Sequence, residues 1–177
     1  MLLQARDDRE FAERLKSADY NTPDGIGLYL AFQILDRYSF FYVNLFFLPM
    51  YLLNLFFRRQ MLYDRYGERI CGSDLTTDIL YFAEEKSIPV VVIDRYNPSD
   101  EAKVLAQKYF REGVREQFPK LHLEYHVYNP ERKAEIIQKI AQSKAQILFS
   151  TLGMKAQEQS VLEVMEQCPN IKLGLGV

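Results

Sequence analysis

A chain of 177 residues is long enough to bury one sizeable core, and its net charge of −2 excludes a general attraction to nucleic acid or acidic lipid. Hydrophobic residues make up 48% of the sequence and aromatic residues 14%, which favours a folded domain over a disordered chain. The two cysteines and two histidines lack the spacing of a metal site or a disulfide framework, as suits a reducing cytoplasm. We therefore expect a single domain over residues 1–177, with no metal and no nucleic-acid partner.

The first predicted elements are a charged helix and the turn that follows it. The pattern predicts a helix over residues 2–19, whose many charges exclude a cleavable signal peptide. The turn has the sequence Asn21-Thr22-Pro23-Asp24-Gly25-Ile26-Gly27, in which proline fixes one φ angle and the glycines permit unusual ones. The apolar run from Leu28 predicts a buried helix, so Asp24 precedes a helix N-terminus that can also hold an anion. Asp24 is then either the cap of that helix or a carboxylate beside a phosphate, and the local pattern leaves both open.

A hydrophobic, aromatic segment follows over residues 40–57, within an insertion at about 38–60. Fifteen of its eighteen residues are apolar or aromatic, and arginines lie on both sides. Eighteen helical residues rise about 27 Å, barely the hydrocarbon thickness of a bilayer. Pro49 at the midpoint would kink a spanning helix or turn a hairpin. The segment predicts docking at a membrane interface, a buried helix in a core or oligomer, or a true span.

Beyond residue 75 the sequence alternates helices and strands. Helices are predicted over residues 76–86, 99–118, 130–143 and 156–168. Strands are predicted over residues 88–94, 121–128, 146–151 and 171–175. This order predicts an α/β fold, a Rossmann-like, doubly wound and mostly parallel sheet with helices on both faces. Ligands of such sheets bind beyond the carboxyl ends of the strands, at a switch in strand order.

Two further glycine-marked loops join the Asp24 turn as candidates for a binding site. The second loop has the sequence Glu68-Arg69-Ile70-Cys71-Gly72-Ser73-Asp74-Leu75, in which Arg69 could clamp a diphosphate. The third has the sequence Thr151-Leu152-Gly153-Met154-Lys155-Ala156-Gln157-Glu158, after a predicted strand. Gln157 could hydrogen-bond to sugar hydroxyls or a uracil edge. Taken singly, Arg69 also fits a surface arginine, and Gln157 fits a solvated residue in a first helical turn.

The three loops together resemble one family. Asp-x-Asp-x-Pro-Asp-Gly-x-Gly, Arg-Val-x-Gly-x-Asp and Leu-Gly-x-Pro-x-Gln-Glu, in this order, form the pattern of the WecG/TagA/CpsF glycosyltransferases. The chain resembles it at residues 18–27, at residues 68–75, and at Leu152-Gly153 with Gln157-Glu158. The resemblance covers most of residues 2–35 and 67–177, and the first motif is its most distinctive part.

The resemblance implies a reaction and its partners. Family members transfer N-acetylmannosamine, or a related sugar, from a UDP-sugar donor to undecaprenyl-diphosphate-linked N-acetylglucosamine, in cell-surface polysaccharide or teichoic acid synthesis. The transfer inverts the anomeric carbon, needs no metal and no cofactor beyond the donor, and occurs on the cytoplasmic face of the cell membrane. The chain is accordingly expected to associate peripherally with that face, and a homo-oligomer is left open.

The resemblance also implies roles for individual residues. Asp24 would be the general base that deprotonates the acceptor hydroxyl, Arg69 would offset diphosphate charge, and Gln157 would orient the donor. The other expected substrate-binding residues are the remaining motif positions: Thr22, Gly25, Gly27, Gly72, Asp74, Gly153 and Glu158.

Several departures from the family pattern support an alternative. The expected N-terminal strand and C-terminal appendage are absent, and Lys155-Ala156 replaces the usual Pro-Lys. The family's glycine turn after the second strand is replaced by residues 94–99. These differences predict a chain truncated at both ends. The alternative is a catalytically impaired fragment that acts as a nucleotide-binding or assembly subunit, and a plain nucleotide-binding module is a third reading.

Overall fold

Four short strands form one parallel sheet in this computed structural model, which describes residues 7–21, 47, 49–50, 53, 57, 64, 71–95, 108 and 111–177. The strands are β1 (Val90–Arg95), β2 (Leu123–Tyr128), β3 (Ile147–Ser150) and β4 (Leu173–Gly176). Their order is β2-β1-β3-β4, and every pair is parallel. In register, Val90 lies opposite both Leu123 and Ile147, which in turn lies opposite Leu173. The predicted parallel sheet is confirmed.

The described helices alternate with these strands. They are α1 (Arg9–Ser17), α2 (Gly72–Glu85), α3 (described over residues 111–117), α4 (Lys133–Gln142) and α5 (Ala156–Gln167). A 3₁₀ turn, Pro130–Arg132, precedes α4. Both predicted faces of the sheet are covered, which makes the fold α/β and Rossmann-like as expected.

Each face of the sheet has its own hydrophobic core. Because side chains alternate along a strand, Val91 and Ile93 of β1 face one core, while Val90 and Val92 face the other. The first core packs the sheet against α4 and α5 through Ile136, Ile140, Leu148, Val164 and Cys168. The second packs it against α2 and α3 through Leu80, Ala83, Val114, Ile147 and Phe149. Central strands β1 and β3 are therefore apolar on both faces, as expected for parallel strands between two helical layers.

Three helices begin at other residues than predicted. α1 begins at Arg9, within the predicted range 2–19, because Asp8 has an extended backbone and its side chain caps the helix. α2 begins at Gly72 and not at residue 76, because the Cys71 carbonyl already accepts a hydrogen bond from the Leu75 N–H at 3.0 Å. The predicted helix over residues 130–143 opens as the 3₁₀ turn, whose cap is the Asn129 side chain accepting from the Glu131 N–H at 3.0 Å. Local hydrogen bonds therefore set these helix starts, and apolar periodicity does not reveal them.

The chain divides into two compact units, residues 1–19 with 76–177 and residues 20–75. The sheet belongs to the first unit. In the second, the described residues of the aromatic segment, among them Met50, Leu53 and Phe57, have helical backbone. No helix within the described ranges is both long and apolar enough to cross a bilayer. Most of residues 38–60 lie outside the described residues, so the single domain and the three readings of the segment stay predictions.

Glycine at position 174 permits the close packing of α5 on β4. A Cβ atom added there would lie 2.6 Å from Val161 Cγ1 and 2.7 Å from Met165 Sδ. We expect Gly174→Ala to lower the free energy of unfolding by about 1–3 kcal/mol, measured by urea denaturation. Gly113, an exposed helical residue with open space around it, is the matched control. Gly113→Ala should raise stability by about 0.5–1 kcal/mol, and equal effects at both sites would contradict this packing.

Candidate functional site at the carboxyl edge of the sheet

The strand order places a switch point between β1 and β3. β2 follows β1 in the chain and lies on one side of it, whereas β3 lies on the other side. In sheets of this type, the connections that leave such a pair of strands diverge, and ligands bind beyond the carboxyl ends of the strands. Asp94 and Arg95 end β1, and Thr151 follows β3. Polar side chains thus meet where this architecture binds ligands.

Asp94 ties three elements together at this edge. Its Oδ1 atom accepts hydrogen bonds from Thr151 Oγ1 and from the Arg95 backbone N–H, both at 2.7 Å. Its Oδ2 atom accepts a hydrogen bond from the Tyr125 hydroxyl of β2. Burial and this carboxylate raise the pKa of Tyr125, so the hydroxyl stays protonated as a donor. The Arg111 guanidinium of α3 lies 3.5 Å above the Tyr125 ring and completes the cluster.

The turn between β3 and α5 has an unusual backbone. Gly153 has a φ of +84°, and Lys155, which caps α5, has a φ of +70°. The Gly153 carbonyl accepts the Gln157 N–H at 2.9 Å and opens the helix. Behind the turn, the buried hydroxyls of Ser150 and Ser160 share a 2.7 Å hydrogen bond that joins β3 to α5. The turn is thus fixed at both ends.

Gln157 and Glu158 form a polar pair in the first turn of α5. Gln157 is buried, and a Cβ atom at Gly176 would lie only 3.0 Å from its Cγ atom, so glycine permits this approach. Its Nε2 atom donates to Glu158 Oε1 at 3.3 Å. The other oxygen, Glu158 Oε2, is buried and lacks a hydrogen-bond partner among the residues that the structure describes. Because a buried acceptor is costly to leave unsatisfied, this oxygen is the atom of the pair whose hydrogen-bonding capacity the described residues leave unused.

The comparison with protein families shows which family the chain belongs to. A family model described as glycosyl transferase WecG/TagA/CpsF family matches residues 53–177, more than two thirds of the chain. The chain belongs to the WecG/TagA/CpsF family. The matched range includes the whole sheet, the second glycine loop and the Gly153–Glu158 turn, while residues 18–27 precede it. No curated protein matches the chain closely enough to count as a relative.

The structure brings together part of the set expected for a WecG/TagA/CpsF glycosyltransferase. Gly153, Gln157 and Glu158 lie in one turn at the carboxyl edge. Gly72 is the first residue of α2, and Asp74 lies in its first turn, within the second unit. The other five expected residues, Thr22, Asp24, Gly25, Gly27 and Arg69, lie outside the described residues.

The cluster of Asp94, Thr151, Tyr125 and Arg111 was not predicted from the sequence. Asp94 ends a predicted strand, which is a signal for a site residue in a doubly wound sheet. Thr151 begins the third glycine loop and carries the same signal. Arg111 and Tyr125 could not be found that way, since their contact joins α3 to β2 across the fold. Within the described part of the chain, no group of three His, Cys, Asp or Glu residues could hold a metal ion.

A second concavity lies beside the edge strand β2. It is an open cleft of about 370 Å³ whose polar lining includes His126, Arg132, Glu135 and Lys139. Hydrogen bonds from Arg132 and Lys139 lower the pKa of Glu135 to about 2. Burial lowers the pKa of His126, whose Nε2 atom has no hydrogen-bond partner in the described ranges. The two cations are already paired, so the cleft is a weaker candidate than the carboxyl edge.

His126 should make stability depend on pH. The unfolded histidine binds a proton at about pH 6.5, whereas the folded one resists protonation, so stability is lost as the pH falls from about 7 to 5. We expect His126→Gln to flatten this part of the curve of unfolding free energy against pH, measured by urea denaturation. His122 is exposed, and His122→Gln is the control. An unchanged slope in His126→Gln would exclude this residue as the cause.

Proposed function

We propose that this chain transfers a sugar of the N-acetylmannosamine class from a UDP-sugar to a polyprenyl-diphosphate-linked sugar, in cell-surface polysaccharide synthesis at the inner face of the membrane. The observation that carries the proposal is the WecG/TagA/CpsF match over residues 53–177. The matched region contains the Gln157–Glu158 pair at the carboxyl edge of its sheet, in which Gln157 and the Glu158 Oε2 atom are buried. A glycosyltransferase needs a donor site there, and this pair offers groups that recognise hydroxyls.

In the proposed reaction the donor lies against the turn between β3 and α5. The N-terminus of α5 offers backbone N–H groups and a favourable dipole to a phosphate. Gln157 orients the sugar nucleotide, and Glu158 Oε2 accepts one of its hydroxyls. The acceptor hydroxyl attacks the anomeric carbon with inversion and without a metal, and the bond from that carbon to UDP breaks as UDP departs. Asp24 takes the proton of that hydroxyl, and Arg69 offsets the charge of the leaving diphosphate.

The acceptor in this proposal arrives in a membrane, and the aromatic segment is suited to meet it. Leu53 and Phe57, four residues apart with helical backbone, are 56% and 81% exposed. Residues at this spacing share one face of a helix. Exposed apolar side chains on one face, with arginines at positions 58 and 59, are typical of segments at the lipid boundary.

A liposome flotation assay tests this contact. We expect Leu53→Glu/Phe57→Glu to reduce the floated fraction about tenfold with vesicles containing anionic lipid, because two apolar anchors are replaced by charges. The control is Phe82→Glu, which changes an exposed aromatic side chain of α2. Equal flotation of the wild type and the residue 53/57 variant would exclude the membrane role of this face.

The alternative is a subunit that binds nucleotide without transfer. One observation favours it, since both oxygens of Asp94 at the switch point are already engaged by the protein's own groups. The deciding experiment incubates the chain with radiolabelled UDP-N-acetylmannosamine and a polyprenyl-diphosphate-linked N-acetylglucosamine in detergent. Labelled lipid product is the expected result. UDP binding without product would favour the alternative, and neither binding nor product would contradict both.

A further inference from the structure

Lys155 adopts a backbone conformation that its side chain disfavours. Its φ is +70° with a ψ of −44°, a region in which residues with a Cβ atom are rare. Such a residue costs about 1–3 kcal/mol and persists only where its surroundings impose it. Glycine would adopt the same angles with little strain. The surroundings of Lys155 must therefore hold its backbone in this conformation.

The side chain of Lys155 is tied to the first helix of the fold. Its Nζ atom bonds to Asp8 Oδ2 at 2.6 Å and lies 5.8 Å from the centre of the Phe11 ring. Asp8 Oδ1 accepts the Phe11 N–H at 3.0 Å and so caps α1. Phe11 is buried, which anchors α1 on the body of the first unit. One carboxylate thus joins a helix cap to the turn that begins α5.

We propose that Asp8 and Lys155 form a positioning pair, which holds the β3–α5 turn in its strained conformation and so sets the place of Gln157 and Glu158. The proposal rests on the proposed function, because these two residues are its donor contacts. Neither Asp8 nor Lys155 touches the donor in this account. Their effect reaches it through the turn, whose Gly153 carbonyl accepts the Gln157 N–H and whose Lys155 carbonyl accepts the Gln159 N–H at 3.2 Å.

The opposing possibility is that the Lys155 ammonium itself binds the donor phosphate. The Asp8 carboxylate would then compete with the ligand for the same cation. Removing the charge of Asp8 distinguishes the two possibilities. If Lys155 binds the phosphate, the freed ammonium should bind the donor at least as well, whereas if the pair positions the turn, donor binding should weaken. Asp8→Asn keeps an acceptor for the α1 cap, so the helix is retained.

The experiment compares four variants by donor KM, kcat and thermal stability. We expect Asp8→Asn and Lys155→Gly to raise the donor KM about fivefold to tenfold with kcat within about twofold, because the turn loses its fixed geometry. Lys155→Gly should be at least as stable as the wild type, since it also removes the strain. Lys155→Arg should restore most of the affinity. The matched control is Lys133→Gln, which breaks a 2.6 Å ion pair to Glu163 on α5 away from the turn.

The outcomes separate this proposal from the proposed function. Unchanged or tighter donor binding in Asp8→Asn would overturn the positioning pair while leaving the transferase in place. If the wild type uses no UDP-sugar, the proposed function fails. Amide hydrogen exchange then tests whether Asp8 and Lys155 hold the turn. Faster exchange of the Gln157 and Gln159 amides in both Asp8→Asn and Lys155→Gly, but not in Lys133→Gln, would support it. Equal exchange in all three would overturn it.

Discussion

Replacing Asp24 by asparagine should lower the rate of sugar transfer by about 10²–10⁴-fold, the usual contribution of a general base. The amide is nearly the same size as the carboxylate but cannot take the proton of the acceptor hydroxyl. In the proposed reaction this role comes to Asp24 from the family resemblance at residues 18–27. Initial rates with labelled donor measure the effect, and the affinity for UDP should stay within about twofold.

The control for Asp24→Asn is Asp78→Asn, which changes an exposed carboxylate on α2. Its transfer rate should equal that of the wild type. If Asp24 only caps the following helix, the asparagine variant retains its activity, because asparagine caps a helix as well as aspartate. Equal transfer rates for the two variants would therefore mean that Asp24 only caps the helix.

Replacing Asp94 by alanine should have the largest effect on stability, a loss of about 3 kcal/mol of unfolding free energy. The substitution removes the acceptor of three hydrogen bonds, from Tyr125, Thr151 and the Arg95 backbone. The half-buried hydroxyls of Tyr125 and Thr151 would then lose their partner, and unsatisfied polar groups are costly. Asp94→Asn keeps an acceptor and should cost about 1 kcal/mol. Urea denaturation of each variant provides the measurement.

The matched control is Glu166→Ala, which removes an exposed carboxylate from α5. It should change the unfolding free energy by less than about 0.5 kcal/mol. A double-mutant cycle of Asp94→Ala with Tyr125→Phe should show coupling, because the two side chains share one bond. Additive effects, or an Asp94→Ala cost no greater than that of the control, would mean that the cluster does not hold β1, β2 and β3 together at this edge.

The sequence predicted the sheet because its strands carry a simple signal. Residues 90–93 and 147–149 are continuous apolar runs, which buried parallel strands require. The position of Gln157 and Glu158 followed from the same reasoning, since a glycine turn after a strand lies at the carboxyl edge of the sheet. Motif order then identified the family, which the match over residues 53–177 confirms.

Other features could not be predicted, because they depend on contacts between distant parts of the chain. The Asp94–Tyr125 bond joins residues 31 apart, and the Asp8–Lys155 bond joins residues 147 apart. Nor does the sequence reveal the positive φ of Lys155, since lysine has no preference for that region. The earlier start of α2 at Gly72 depends on a single backbone hydrogen bond to Cys71. Long-range polar contacts and local backbone geometry therefore could not be predicted from sequence patterns.

The central claim is that the carboxyl edge of this sheet holds a nucleotide sugar, and amide hydrogen exchange with and without UDP tests it most directly. We predict slower exchange on UDP binding over residues 151–158 and at the ends of β1 and β3, as a ligand covers the turn and its helix start. Residues 132–139, beside the separate cleft at β2, should exchange at unchanged rates. Protection at that cleft alone, or no protection at the 151–158 turn at saturating UDP, would contradict the claim.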